Sequence, residues 1–392
     1  MIEKEFNYLV TNYQTPFYFF DMVSLKDRIE YLRHRLPNKV KLCYAIKANS
    51  FILKDIEDLI DRYEVCSFGE YHICDSSKIN KEKIVLSGVY KEEKDLRYLF
   101  QNNVSIGIYT IESWEQYNLL KNLTNEFKKN IKVLLRLTSG NQFGMDKSII
   151  HNIFKDLKNS PYIKIIGLQF FSTTQKRSIK RLNKELEEVL SFFNELNEEY
   201  NANLEEIEFG PGLSATYFID EEYDEEEYLQ EFSKLLESIP SSINITLELG
   251  RSIAYTCGSY ITKVVDTKTN KKENYAIVDG GIHHLVYYGS SLAMRIPEII
   301  LFQNKKESNN VENWNICGSL CTINDILVKE LPLSDLKIND YLIFKKVGAY
   351  SVTEGISLFL SHDLPGIIKK DLNGNYHLIR NNEATYPFNT PN

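Results

Sequence analysis

Eight short aliphatic or β-branched runs, each followed by a polar stretch, fill the first 250 residues of this 392-residue chain. They end at Ala48 (VKLCYAIKA), Phe68 (EVCSF), Gly88 (IVLSG), Thr110 (IGIYT), Leu137 (VLLRL), Phe171 (IGLQFF), Gly210 (EIEFG) and Gly250 (ITLELG). The segments between them, such as KDIEDLIDRY, KEEKDLRYLFQN, IESWEQYNLLKNL and NKELEEVLSFFNELNEEY, carry apolar residues at helical spacing. Eight strand–helix units over roughly 225 residues predict an α/β fold of one kind, the (β/α)₈ TIM barrel, which typically takes about 250 residues.

After Arg251 the pattern changes. Strand-like segments (SYITKVVDT, NYAIVDG, DILVKEL, DYLIFKKV, YHLIR) alternate with turn residues and little helix, which predicts a mainly antiparallel β domain. The length also exceeds what one core usually supports. The expected division is residues 1–24 as an N-terminal segment packing with the β domain, 25–255 as the barrel and 256–392 as the β domain. The aromatic run PFYFFD (Pro16–Asp21) is the part expected to pair with the second domain, and Gln303–Asn313 reads as an exposed connection.

Composition removes several function classes. A net charge of −8 leaves no basic footprint for nucleic acid. No apolar run approaches the roughly 18–20 residues that span a bilayer. The opening MIEKEFNYLV lacks a signal-peptide core, so a cytoplasmic location is expected. The six cysteines form no dense framework and read as reduced thiols. Cys317 and Cys321 stand four apart without companion ligands, so no metal is expected.

In a barrel, chemistry collects at the C-terminal ends of the strands. The first strand carries Lys47. A desolvated lysine has a lowered pKa and can condense with an aldehyde, whereas a lysine at a strand end can also simply reach water. The seventh ends in Gly210-Pro211-Gly212, either a backbone cradle for an anion or an ordinary turn. The eighth gives Glu248-Leu249-Gly250-Arg251, an arginine suited to phosphate behind a carboxylate, or a surface ion pair.

Together, YAIKANS at 44–50, the Gly210–Gly212 loop and ELGR at 248–251 resemble the fold type III pyridoxal-phosphate decarboxylases, the group that includes diaminopimelate and ornithine decarboxylases. VCSFGE (65–70), QFG (142–144), VDGG (278–281), Cys321 and GAY (348–350) fall at matching places in the right order. The resemblance implies an alanine racemase-like barrel, pyridoxal 5'-phosphate as cofactor, and decarboxylation through a Lys47 Schiff base and a quinonoid intermediate. It implies that Glu248 pairs with the pyridine nitrogen and that Glu64 lies near the ring and its phenolic edge. Gly210, Gly212, Arg251, Thr174 and Tyr350 would hold the phosphate. It also implies a homodimer with shared active sites, in which Cys321 protonates Cα across the interface. GSLCTIND (318–325) and GAYSVTEGISLFLSH (348–362) are similar to a subgroup that includes the butirosin-pathway decarboxylase, some of whose members act on carrier-protein-tethered amino acids.

The departures from the pattern bear on substrate. Phe171 stands where decarboxylases usually stack a histidine on the ring, and Thr173 and Thr174 replace Gly-Ser at the phosphate. Leu249 replaces a proline, and Thr322 follows Cys321 where the diamino acid enzymes carry an acid. IHHLVYY (282–288) lacks the arginine that grips a distal carboxylate. His283, His284, Thr322 and Arg295 are candidate substrate residues, with a hydrogen-bonded structural pair as the other reading of the histidines. The leading expectation is therefore decarboxylation of a tethered or conjugated amino acid in a biosynthetic pathway. A free diamino acid is the second, racemisation or epimerisation the third, and a non-catalytic cofactor-binding barrel the fourth. Glu248 and Cys321 argue against racemisation, and residues 256–392 argue against a bare barrel.

Overall fold

The computed structural model describes residues 3–289, 293–303 and 310–391. An aromatic strand, β1 (Phe17–Asp21), precedes the barrel. The barrel strands are β2 (Val40–Ala45), β3 (Arg62–Val65), β4 (Ile84–Leu86), β5 (Ile108–Ile111), β6 (Ile131–Arg136), β7 (Ile163–Phe171), β8 (Glu206–Gly210) and β9 (Asn244–Leu249). They pair in parallel in sequence order and close β9 onto β2, so the eight-strand expectation is met. Cys43, Val85, Ile108, Leu134 and Ile166 form one buried cluster drawn from five of these strands. Several helices start where the sequence places a capping side chain. Ser67, Ser113, Ser178 and Asp224 each accept a hydrogen bond from the amide three residues on. One connection differs from expectation: KDIEDLIDRY lacks a full α-helix, and Ser50–Ile56 forms a 3₁₀ helix instead.

The chain divides into two compact units. One comprises Ile29–Ser214 and Asp224–Ile253; the other comprises the stretch up to Arg28, the loop Ala215–Tyr223 and everything from Ala254 onward. The excursion at 215–223 has no marker in the sequence, but its Phe218 bridges to Pro297 within the second unit.

That second unit is built on a nine-stranded sheet. Besides β1 it contains β10 (Gly258–Asn270), β11 (Glu273–Val278), β12 (Ile299–Phe302), β13 (Val311–Cys317), β14 (Ile326–Ser334), β15 (Tyr341–Lys345), β16 (Gly366–Lys370) and β17 (Tyr376–Arg380). Most pairs are antiparallel, but β1–β16 and β11–β13 are parallel. β1 lies between β10 and β16, which is how PFYFFD joins the C-terminal sheet. Of the stretch read as an exposed connection, 304–309 lie outside the described residues. Val311–Asn313 are not loop: they open β13, paired with β14. No helix among the described residues is long and apolar enough to cross a membrane.

Phe17 and Phe19 pack with Phe6, Leu9, Ile261, Ile343 and Ile368 in a single core. Replacing Phe17, which is fully buried, by Ala should cost about 3–5 kcal/mol. A lowered urea midpoint with an unchanged slope would report this loss; no change in midpoint would show that β1 is dispensable to the core.

Candidate active site

Lys47 is not inside the strand, as its apolar flanks suggested. β2 ends at Ala45, and Lys47 sits on a single 3₁₀ turn, Ile46–Ala48. The turn is tied down by Tyr44, whose hydroxyl donates to Asn49 O at 3.1 Å, while the Asn49 side chain accepts from Phe51 N. The lysine side chain keeps 40% of its exposure, so it is reachable from outside while its ammonium is held from within.

Two carboxyls hold it, one from each strand beside β2. Ala45 pairs in register with Glu64 on β3, and Cys43 with Glu248 on β9. Lys47 Nζ donates to Glu64 Oε2 at 2.6 Å and lies 3.7 Å from Glu248 Oε1 and 3.4 Å from Cys66 Sγ. Two buried carboxyls beside a single ammonium cannot both ionise without strong repulsion, so one of the pair keeps a proton. Burial, then the Glu64 charge, pushes Glu248 up from the ordinary carboxylate range. Burial works against ionised Glu64 too, but the Lys47 ammonium and the hydrogen bonds from Glu248 and Lys47 outweigh it, and its pKa falls. Glu248 therefore carries the proton and Glu64 the charge.

Several members of this neighbourhood were given no role on sequence grounds. Gln169 on β7 donates through Nε2 to Glu208 Oε1 at 2.9 Å and to Glu248 Oε2 at 3.3 Å. Arg136, at the end of β6, is buried against Glu112 (3.1 Å) and stacks over Phe143 of the QFG segment. Lys91 donates to Gly88 O and Gln116 Oε1, and burial lowers its pKa to about 8. Cys66 lies beside the Lys47 ammonium, its Sγ 3.4 Å from Nζ. A charged or amide residue in a short strand signals little by itself, because its face depends on closure of the barrel.

The glycine loop is tight for a definite reason. Phe171 pairs in register with Gly210, and a Cβ on Gly210 would stand 2.4 Å from the Phe171 ring. Gly212 has φ +61°, and a Cβ there would meet Thr173 O at 2.1 Å. Gly212 O accepts from Lys176 N at 2.8 Å, and the buried Lys176 ammonium pairs with Glu185 at 2.5 Å. Phe171, Thr173, Gly210 and Gly212 thus form one close-packed patch, with Thr174 next in the chain. Arg251 is mostly buried and opens the short helix Arg251–Ala254 after β9.

In the second unit, Cys321 is exposed and Thr322 half-buried in the turn between β13 and β14. Asp325 ties that turn to the VDGG segment, accepting from Leu320 N (2.7 Å) and Ile282 N (2.8 Å). Tyr350 has φ +68° just before the helical turn Ser351–Glu354, a strained backbone of the kind that persists at binding positions. His284 is hydrogen-bonded at both ring nitrogens, to the Tyr260 hydroxyl (3.0 Å) and to Asp363 O (2.8 Å). His283 is buried against it, and burial lowers both imidazoles, to about 3 and about 4 respectively, so neither is charged. Arg295 faces Asp220 and Glu221 at 3.0 and 3.2 Å, so a substrate carboxylate would have to displace one of them.

Residues 22–255 match the family described as pyridoxal-dependent decarboxylase, pyridoxal binding domain, and the chain belongs to it. It is 27% identical to the L-glutamyl-[BtrI acyl-carrier protein] decarboxylase of Niallia circulans, over 96% of this chain and 94% of that one. It is 25% identical to the 2-[(L-alanin-3-ylcarbamoyl)methyl]-2-hydroxybutanedioate decarboxylase of Staphylococcus aureus, over 90% and 93%. The crystal structure of diaminopimelate decarboxylase from Helicobacter pylori complexed with L-lysine shares the fold, with a TM-score of 0.85 at 22% identity, over 97% and 98%. The protein is accordingly a fold type III amino acid decarboxylase whose cofactor is pyridoxal 5'-phosphate. The residues present suit that group: an accessible lysine held by carboxyls, a carboxyl that keeps a proton, and a loop whose glycines leave no room for a Cβ.

The carboxyl pair gives a signed pH dependence. Glu248 binds its proton more tightly folded than unfolded. Its contribution to stability is complete below the ordinary carboxylate range and is lost as pH rises through its raised value. Glu64 has the opposite sign, contributing above that range and losing the contribution in acid. The stability gap between cofactor-free wild type and Glu248→Gln should therefore shift in the variant's favour as pH climbs from about 5 through neutrality. A gap independent of pH would mean that Glu248 is already ionised.

Proposed function

We propose that the amino acid decarboxylated here arrives tethered to a carrier protein or as another conjugate, and that Lys47 is the residue that carries the cofactor. The Lys47–Glu64–Glu248 cluster is the observation that supports the role of Lys47, since it places a reachable amine against a buried charge-balancing pair. When bound, pyridoxal phosphate supplies the electron sink for the pair released as the α-carboxylate leaves. Glu64 Oε2 steadies the Lys47 ammonium. Glu248 holds a proton for the pyridine nitrogen, and its carboxyl chemistry favours decarboxylation over racemisation. The backbone at Gly210 and Gly212, with Arg251, Thr174 and Tyr350, would hold the phosphate. Phe171 would pack against a ring face and has no proton to offer.

Cys321 is the proposed proton donor to Cα, reaching the site of a second copy in a homodimer. Its exposure on a turn that Asp325 braces supports this role. Thr322 in place of an acid, and the engagement of Arg295 by Asp220 and Glu221, leave little to hold the far end of a free diamino acid. The named substrates of two relatives, one carrier-bound and one a conjugate, point the same way.

The test is an absorption spectrum before and after borohydride with intact mass, on wild type and Lys47→Ala. Only the wild type should gain the cofactor mass, and the variant should lose roughly 10³-fold or more of its carbon dioxide release. Aminoacyl carrier protein should then be consumed faster than the free amino acid. A preference for free diamino acids would sink the tethered reading, and cofactor fixed equally in Lys47→Ala would sink the role of Lys47.

A further inference from the structure

A third carboxyl of the site has no part in the chemistry proposed above. Glu208 lies on β8, two residues before Gly210, and is completely shielded from solvent. Its Oε1 accepts from Gln169 Nε2, whose other hydrogen goes to Glu248 Oε2. Among the described residues Glu208 Oε2 and Gln169 Oε1 have no hydrogen-bond partner. The nearest opposite charge is spoken for: Arg62 on β3 is bound by both oxygens of Glu206, which also accepts from Thr246. The remaining groups that face Glu208 are Glu248 on β9, Glu64 on β3 and, on β2, the Cys43 thiol, whose own pKa burial pushes up. Burial above all, with the nearby carboxylates adding to it, pushes the Glu208 carboxyl well above its ordinary range.

One nitrogen thus links two carboxyls, and only one of them reaches Lys47. A carboxylic acid at 208 offers the Gln169 amide a carbonyl acceptor without adding a charge to a site that already holds one carboxylate and one ammonium. We propose that Glu208 is a positioning residue, which anchors the Gln169 amide so that Glu248 keeps a single orientation toward Lys47 and the cofactor. This rests on the reading that Glu248 serves the pyridine nitrogen. It predicts that what matters at position 208 is a carbonyl oxygen, not an ionisable group.

The experiment compares wild type, Glu208→Gln, Glu208→Leu and Gln169→Leu. Infrared spectra of the cofactor-free proteins at neutral pH report protonated buried acids, and the component owed to Glu208 should be lost in both Glu208 variants while that of Glu248 remains. The pH titration of the visible band in cofactor-loaded protein without substrate reports the environment of Glu248. Glu208→Gln should stay within about twofold of wild type in kcat and keep its titration midpoint. Glu208→Leu should lose roughly 10–100-fold in kcat with little change in KM and move the midpoint by about half a pH unit or more. Gln169→Leu should reproduce that pattern, which covers the case in which Glu208→Leu fails to fold. A Glu208→Gln enzyme as impaired as Glu208→Leu overturns the proposal, as would leucine variants with an unmoved midpoint. Wild type that forms no visible band overturns the Lys47 reading as well, so the two failures are told apart.

Discussion

The site depends on one electrostatic constraint: two buried carboxyls face a single lysine ammonium, which can balance one negative charge and not two. Two ionised carboxylates in contact would repel and pay desolvation twice, so the pair keeps a proton between them. The ammonium of Lys47, 2.6 Å from Glu64 and 3.7 Å from Glu248, decides which partner holds it. The acid left protonated is the one suited to a pyridine nitrogen. The ionised one is the one suited to a lysine that must gain and lose a proton.

Barrel closure makes this possible. β2 is flanked by β3 and β9, the second and last strands of the closed order, so residues nearly two hundred positions apart meet on either side of Lys47. Gln169 and Glu208 arrive from β7 and β8 and complete a polar ring behind the carboxyl pair. Below it, Arg62, Glu206 and Thr246 satisfy one another, so the interior alternates balanced polar groups with the apolar layer around Cys43. The glycine loop obeys a different rule, steric rather than electrostatic, since its backbone closes on Phe171 and Thr173 with no space for side chains.

Much of this was legible beforehand. The strand count, the aromatic N-terminal strand and the motifs around Lys47, Gly212 and Glu248 all stand out from the residues alone. Placing Lys47 within β2 was an error of one turn: apolar flanks mark burial but do not tell a strand from the 3₁₀ turn that follows it. The approach of Cys66 to the Lys47 amine was not legible either, because a cysteine two residues after Glu64 carries no signature of it. The loop at 215–223 gave no hint of leaving the barrel unit, since its partner Pro297 is remote in sequence.

The residues alone settle the architecture and the chemistry-bearing types. Eight strand–helix units allow few closed arrangements other than a parallel barrel, and a lysine, a glycine loop and a carboxylate at strand ends must then share one rim. The protonation pattern and the supporting cast exist only in the folded barrel. Whether Glu64, Glu208 or Glu248 is ionised depends on burial and on ångström-scale distances between strands far apart in the chain, and neither quantity exists until the barrel has closed.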